Sequence, residues 1–195
     1  MQASVTVIEV QEKRIKWKET IQKSDAGHLV FLDESGVNTN LTRRYGRSIG
    51  KARVEDHTPL NTPKTTTVLS SMRADGSKAT VTYMGGTTGV RFVDYLKTVL
   101  IPTLKPGDIV VMDNLRSHHV KDVQKLFDRT QFQVAYLPPY SPDLNPIEKM
   151  WSKMKSILRK WKVREVSALP HSIEAALRLV NAEECTNWFR SCGYR

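Results

Sequence analysis

The sequence predicts an α/β fold in which helices flank a central, mixed, five-stranded sheet. Three observations carry this prediction: five short apolar or β-branched runs, intervening stretches with helical spacing, and Gly and Pro residues at the boundaries. Three runs come first, and helices and strands then alternate, an order that favours a mixed sheet with helices packed on it. The 195 residues suffice for one domain with a real core.

The first half of the chain predicts three strands. Residues 1–27 are mixed and charged, with too few apolar side chains to define a core, so we assign them to an N-terminal lead-in segment and residues 28–195 to the main domain. A strand is expected from about His28 to Asp33, followed by a Gly- and Pro-containing loop over 36–64. The β-branched runs 65–71 and 79–84 flank an Asp-Gly turn, which predicts an antiparallel hairpin.

The second half alternates helices with strands. The spacing from Phe92 to Leu100 predicts a helix, and the apolar run 109–112 predicts a strand that Asp113 closes. A helix capped by Ser117 and a strand over 132–137 follow. The last predicted element is a helix from Pro146 to Lys162 with one apolar face, formed by Ile147, Met150, Trp151, Met154, Ile157, Leu158 and Trp161.

Composition points to a polyanionic partner. The net charge is +10 at pH 7, and a chain this basic attracts polyanions, of which nucleic acid is the expected partner. The two cysteines, Cys185 and Cys192, are expected to be free thiols in a reducing compartment. The N-terminus lacks the pattern of a signal peptide, and no apolar run approaches the ~20 residues of a membrane span. We therefore expect a cytoplasmic protein.

Three acidic residues lie at the ends of different predicted elements. Asp33 closes the first strand, Asp113 closes the fourth, and Glu148 opens the long helix. If the three carboxylates converge, they repel one another unless cations lie among them. Hard oxygen ligands without a nearby Cys or His set indicate Mg²⁺ or Mn²⁺ rather than zinc. The trio therefore suits two-metal phosphoryl chemistry with two Mg²⁺ ions, for which Mn²⁺ can substitute.

Each acid also has a purely structural interpretation. Asp33 and Asp113 can begin turns after strands. Asn145, Pro146 and Glu148 fit the N-cap, first-turn and capping-box positions of a helix, so capping alone explains that segment. Asp143 is either a fourth acid near the site or a solvated loop carboxylate. Capping does not explain the joint occurrence of all three acids in this framework.

Basic residues lie in the long loop and along the last helix. They are either solvated surface charges or phosphate contacts, and contacts of the second kind would make DNA binding fall steeply with salt. His118 follows the second acid and is expected to cap a helix or support the site, or to orient water or the scissile phosphate. The candidate DNA-binding residues are Arg43, Arg44, Arg47, Lys51, Arg53, His118, Lys155 and Arg159.

Several of these segments resemble the catalytic domain of bacterial insertion-sequence transposases of the mariner-like superfamily. The resemblance covers about residues 29–194 and rests on VFLDESG (30–36), RRYGR (43–47), Asp113-Asn114 with Ser117-His118, and the long block LPPYSPDLNPIE (137–148). In that superfamily 34 residues separate the second acid from the final Glu, and 34 residues separate Asp113 from Glu148 here.

The resemblance implies a ribonuclease H-like fold and a transposase reaction. The partner would be double-stranded DNA: metal-activated water would cleave it at transposon ends, and the freed 3′-hydroxyl would attack target DNA. Asp33 would bridge both metals, Asp113 would hold one ion, and Glu148 would hold the other. A homodimer in the DNA complex and association with the bacterial nucleoid are further expectations.

One departure from the family pattern concerns DNA recognition. Relatives carry helix-turn-helix domains before the catalytic domain, whereas 32 residues precede Asp33 here, so we expect the downstream product of a two-frame element or a truncated copy. The alternatives are another nuclease on the same scaffold, such as a ribonuclease H or Holliday-junction resolvase, and a non-autonomous DNA-binding remnant that acts as a regulator.

Overall fold

A mixed sheet forms the centre of the structure, a computed structural model that describes residues 7–43, 45–50, 52–59, 65–113, 121–128, 130 and 132–195. The strand order is β3-β2-β1-β4-β5. The prediction of a five-stranded mixed sheet flanked by helices is therefore confirmed. The strands are β1 (Leu29–Val37), β2 (Thr66–Met72), β3 (Lys78–Met84), β4 (Ile109–Met112) and β5 (Gln133–Tyr136).

The pairing divides the sheet into an antiparallel and a parallel half. Strands β1, β2 and β3 are antiparallel neighbours, whereas β4 is parallel to both β1 and β5. The predicted hairpin is confirmed, and its turn is closed by a bond from the Gly76 N–H to the Arg73 carbonyl. Gly76 has a φ of +86°, which a residue with a side chain rarely adopts.

Helices cover both faces of the sheet. The predicted helices over 92–100 and 146–162 are confirmed, the first as an α-helix that continues in a wider π-helical segment to Leu100. The predicted Ser117 cap lies outside the described residues, within which the next helix begins at Lys121. The described helices are α1 (Val7–Glu19), α2 (Gly89–Tyr95), α3 (Lys121–Asp128), α4 (Ile147–Trp161), α5 (Leu169–Arg178) and α6 (Ala182–Ser191).

Each face of the sheet has its own apolar core. On one face, alternate residues of β1 such as Leu29 and Phe31 pack with side chains from α1, α4, α5 and α6. On the other face, Val30 and Leu32 pack with side chains from α2, the π-helical segment and α3. The period-two alternation of β1 thus serves two cores, and Asp33 follows Phe31 on the face that α4 covers.

The structure differs from the sequence prediction in four places. Helices α5 and α6 were not predicted, although they complete one core. Trp17 of the lead-in segment is buried, so one aromatic residue ties α1 to that core despite the sparse pattern around it. Trp161 was assigned to the apolar face of α4 but is 45% exposed. Strand β1 continues to Val37, so Asp33 lies within the strand and not at its end.

Two chemical expectations can be compared with the described residues. Cys185 and Cys192 are both free and buried, as predicted. In the described part of the chain, no helix combines the length and the apolar character that crossing a membrane requires.

The two ends of the chain meet at a buried tyrosine. The Tyr194 hydroxyl accepts a hydrogen bond from Trp17 Nε1 at 3.0 Å and donates one to the Leu144 carbonyl at 2.7 Å. The same ring packs against Phe31, with the ring centroids 5.0 Å apart. Tyr194 therefore joins α1, the sheet and the loop before α4.

We expect Tyr194→Phe to lower the free energy of unfolding by about 1–3 kcal/mol, because it leaves a buried N–H and a buried carbonyl without their partner. Urea denaturation measures this change. Tyr140→Phe is the matched control, since Tyr140 is 86% exposed and should lose almost nothing. Equal stability of the two variants would show that the Tyr194 hydrogen bonds contribute little.

Candidate active site at the carboxyl end of the parallel strands

The sheet places Asp33 and Asp113 side by side. Leu32 and Met112 form the last residue pair between the parallel strands β1 and β4. Asp33 follows Leu32 and Asp113 follows Met112, and neighbouring strands run only ~4.8 Å apart. The two carboxylates therefore lie at the same edge of the sheet, where the parallel pairing stops.

The loop after β5 brings α4 to the same edge. The Leu137 N–H bonds to the Met112 carbonyl, which holds the start of the loop beside the end of β4. A single 3₁₀ turn over Pro142–Leu144 then leads to α4. Glu148, in the first turn of α4, is exposed, whereas Trp151, one turn later, is buried.

The Asp33 carboxylate is buried and held by neutral donors. Its Oδ1 accepts a hydrogen bond from the Glu34 N–H at 2.7 Å. Its Oδ2 accepts one from Trp151 Nε1 at 3.1 Å and a longer contact from Asn145 Nδ2 at 3.5 Å. The helix that carries Glu148 thus also holds Asp33 in place.

The pKa of Asp33 is raised to about 7, chiefly by burial and also by the charges of Asp113 and Glu148, although the Glu34 and Trp151 hydrogen bonds lower it. Both acids are therefore close enough to act on Asp33 electrostatically. A cation placed beside a buried carboxylate of this kind stabilises its ionised form. The three acids make the edge a concentrated negative site in a basic protein.

The three carboxylates do not surround a single point. Among the described residues, no group of three His, Cys, Asp or Glu side chains lies close enough to hold one metal ion. In this arrangement an ion at the edge would have at most two of the three acids as direct ligands. Of the three, Asp33 is the buried carboxylate, and the charges of both Asp113 and Glu148 raise its pKa.

The capping interpretation of Asn145 is wrong. Helix α4 begins at Ile147, Pro146 occupies the N-cap, and no side chain caps the helix. The Asn145 side chain turns inward to Asp33 instead. Sequence reasoning missed both Asn145 and Trp151 as partners of Asp33; their position next to Glu148 in the motif was the available signal.

Asp143 is an exposed loop carboxylate that pairs with Arg14. It accepts hydrogen bonds from the Arg14 guanidinium, including one of 2.9 Å to Oδ1, and this contact lowers the pKa of Asp143. Arg14 also bonds to the Ser141 hydroxyl at 2.7 Å. The loop carboxylate therefore fastens helix α1 to the segment before α4.

The described candidate DNA-binding residues lie on the long loop and on α4, which come together at the end of α4. Arg164 donates to the carbonyls of Thr39, Leu41 and His57, and Lys162 pairs with Asp56, so both ends of the long loop contact residues just after α4. Arg43, Arg47 and Arg53 are exposed in this loop, and Lys155 and Arg159 are half-buried on α4. Arg44, Lys51 and His118 lie outside the described residues.

The sequence profile of one family matches most of the chain. The DDE superfamily endonuclease family matches residues 28–170. The chain belongs to the DDE superfamily endonucleases. No curated protein matches the chain.

Solved structures of Mos1 share the fold. The mariner Mos1 paired-end complex with Mg is 16% identical, with a TM-score of 0.78 over 99% of this chain and 61% of that one. The Mos1 strand transfer complex is 15% identical, with a TM-score of 0.73 over 94% of this chain and 57% of that one. The chain thus spans about three-fifths of the length of these Mos1 chains.

The isolated catalytic domain gives the fuller match in length. The catalytic domain of Mos1 mariner transposase is 14% identical, with a TM-score of 0.68 over 99% of this chain and 92% of that one. This likeness confirms the ribonuclease H-like fold that the motifs implied. At such low sequence identity, the likeness is evidence for the fold only.

The raised pKa of Asp33 predicts an unusual pH dependence of stability. Between the ordinary value of 3.8 and about 7, the folded state keeps a proton that the unfolded state has released. Stability therefore falls as pH rises through this window. The Asn side chain does not titrate, so the free energy of unfolding of Asp33→Asn should not fall in this window. Relative to the wild type, the variant should therefore become more stable by about 2–3 kcal/mol as the pH rises from 5 to 8.

Chemical denaturation in EDTA at several pH values measures this difference. Asp94→Asn, which changes an exposed carboxylate on α2, is the control and should follow the wild type at every pH. A constant gap between Asp33→Asn and the wild type across pH 5–8 would contradict the prediction.

Proposed function

We propose that this chain is the catalytic part of a transposase that cuts DNA at transposon ends and joins the freed 3′ ends to target DNA. Membership of the DDE superfamily endonucleases supports the nuclease step. The likeness to Mos1 in its paired-end and strand transfer complexes supports the transposition reaction. The observation that carries the proposal is the buried Asp33, whose pKa is raised by burial and by both Asp113 and Glu148.

Two Mg²⁺ ions, or Mn²⁺ in their place, would be held by Asp33, Asp113 and Glu148. The donor set fits, because all three are hard oxygen ligands and because the charges of Asp113 and Glu148 both act on Asp33. Asp33 would be shared between the ions, Asp113 would hold one, and Glu148 would hold the other. When bound, the ions polarise the attacking oxygen and stabilise the leaving oxygen. Mos1 structures solved with Mg and with Mn support this assignment.

The protein's own part is placement and exclusion of water. The strand pairing fixes Asp33 and Asp113 relative to each other, and α4 fixes Glu148 relative to both. Trp151 and the surrounding core shield one side of Asp33 from solvent. The open side, toward the exposed Glu148, is left for the DNA backbone.

The DNA path would run from the acids along α4 to the long loop. Lys155 and Arg159 lie about two and three helical turns beyond Glu148 on the same flank of the helix, and Arg43, Arg47 and Arg53 continue the positive surface. Arg44, Lys51 and His118 stay in the proposed contact set on sequence grounds. A positive surface beside an acidic site lets the phosphates approach carboxylates that would otherwise repel them.

The remaining assignments follow from the same resemblance. Residues 28–195 would form the catalytic domain, with residues 1–27 as an N-terminal segment packed on it through Trp17. The 34-residue interval between Asp113 and Glu148 supports a bacterial insertion-sequence origin within the mariner-like superfamily. Paired-end complexes of Mos1 support a homodimer on two transposon ends and DNA-associated localisation.

We expect the purified protein to nick supercoiled plasmid in the presence of Mn²⁺, weakly and with little sequence preference. Asp113→Asn and Glu148→Gln should each reduce nicking to background, because one ion loses a ligand. Glu174→Gln changes an exposed carboxylate on α5 and is the matched control. Agarose gels that resolve supercoiled from open-circular plasmid measure the rate.

The other outcomes of this assay identify the rival functions. Binding of DNA without metal-dependent nicking would favour a regulator that lacks catalysis. Cleavage of RNA–DNA hybrids without cleavage of DNA would favour a ribonuclease.

The loop arginines predict a change in the salt dependence of DNA binding. Each phosphate contact contributes about −0.9 to the slope of log K against log salt, so Arg47→Ala with Arg53→Ala should reduce its magnitude by about 1.8. Fluorescence anisotropy from low to moderate salt measures the slope. Arg178→Ala with Arg190→Ala removes the same charge from exposed positions on α5 and α6, and it should leave the slope nearly unchanged. Equal effects of the two pairs would mean that net charge alone governs binding.

A further inference from the structure

Asn145 has an unused acceptor at the centre of the site. The residue is 5% exposed, and its Oδ1 has no hydrogen-bond partner among the described residues. A buried polar atom left in this state costs about 1–3 kcal/mol. Buried polar atoms are nearly always paired, so an orphan beside Asp33 calls for a donor beyond the described protein atoms.

The orientation of the amide is determined by Asp33. The ionised carboxylate, which is the form that holds a cation, only accepts hydrogen bonds, so the group that faces Asp33 Oδ2 at 3.5 Å in that form must be Nδ2. Turning the amide over would place its oxygen against the carboxylate. The Asn145 oxygen consequently faces away from Asp33, and the group that fills its position must be a donor.

Trp151 makes this arrangement rigid. Its indole N–H bonds to the same Asp33 oxygen at 3.1 Å, and its side chain is 3% exposed. Trp151 lies one helical turn beyond Glu148, so a single helix places both a proposed ligand and the donor to another. Two neutral donors on Oδ2, together with the backbone N–H on Oδ1, fix the plane of the carboxylate.

We propose that Asn145 and Trp151 are positioning residues of the metal site: together they orient the Asp33 carboxylate, and the Asn145 oxygen accepts a hydrogen bond from a water bound to a divalent ion. This inference rests on the proposed function, because it requires that Asp33 holds an ion. Mg²⁺ sheds its water reluctantly and usually keeps several water ligands in protein sites. Such waters are strong hydrogen-bond donors, and a donor is the partner that the Asn145 oxygen lacks. Residues of this kind typically change metal affinity about 10–100-fold when removed.

The test is a titration of the DNA-free protein with Mn²⁺. The electron paramagnetic resonance signal of unbound Mn²⁺ measures how much of the ion is bound. Asn145→Ala removes a donor and the acceptor, and it should weaken Mn²⁺ binding at least about 10-fold. Trp151→Phe removes only the indole donor and should weaken it less. Asn187→Ala and Trp161→Phe change an exposed asparagine and a partly exposed tryptophan, and both should bind Mn²⁺ like the wild type.

Thermal unfolding in EDTA separates positioning from folding. A purely structural role would lower the melting temperature and leave the Mn²⁺ affinity of the folded protein unchanged. Since Trp151 is a core residue, Asn145→Ala decides the question if Trp151→Phe fails to fold. The inference would be overturned if folded Asn145→Ala bound Mn²⁺ as tightly as the wild type. It would also be overturned if Asn145→Ala lost no more Mn²⁺ affinity than folded Trp151→Phe. Failure of the wild type to bind Mn²⁺ would instead overturn the proposed function.

Discussion

The site depends on the burial of one carboxylate beneath one helix. Asp33 lies between β1 and α4, where desolvation raises its pKa to about 7. An ionised carboxylate is costly in such surroundings, and three neutral N–H groups offset only part of that cost. Because Glu148 and Trp151 belong to the same helix, α4 cannot shift without moving both Glu148 and the support of Asp33. Burial therefore links the geometry of the site to the packing of a single element.

The position of α4 depends in turn on the loop before it and on both ends of the chain. Tyr194 binds the Leu144 carbonyl and receives the indole N–H of Trp17. Arg14 holds Ser141 and Asp143 in the same loop. These contacts span up to 177 residues of sequence, and they converge on the few residues that set where α4 starts. The prolines of this loop restrict its unfolded states and add to the same constraint.

Local patterns predicted the sheet, the hairpin and α4, because each depends on the spacing of neighbouring side chains. They failed where a distant partner decides the outcome. Asn145 fits an N-cap by every local rule, yet Asp33, 112 residues away, takes its side chain. The apolar run of β1 ends at Leu32, but pairing with β2 extends the strand through Glu34, Ser35 and Gly36 to Val37. The three acids could be selected from sequence, whereas the two residues that hold the first of them required the fold.

A second buried carboxylate shows why Asp33 is suited to bind ions. Asp108 lies at the opposite end of β4 and is 1% exposed, as buried as Asp33. Burial alone would raise its pKa, but the hydrogen bonds and charge of Arg73, with the Lys105 N–H, lower it instead. Within the described residues, a guanidinium thus neutralises Asp108, whereas Asp33 receives neutral donors and lies near two further acids. Charge left unbalanced in this way destabilises the metal-free protein, and the same imbalance provides the free energy with which divalent cations would bind.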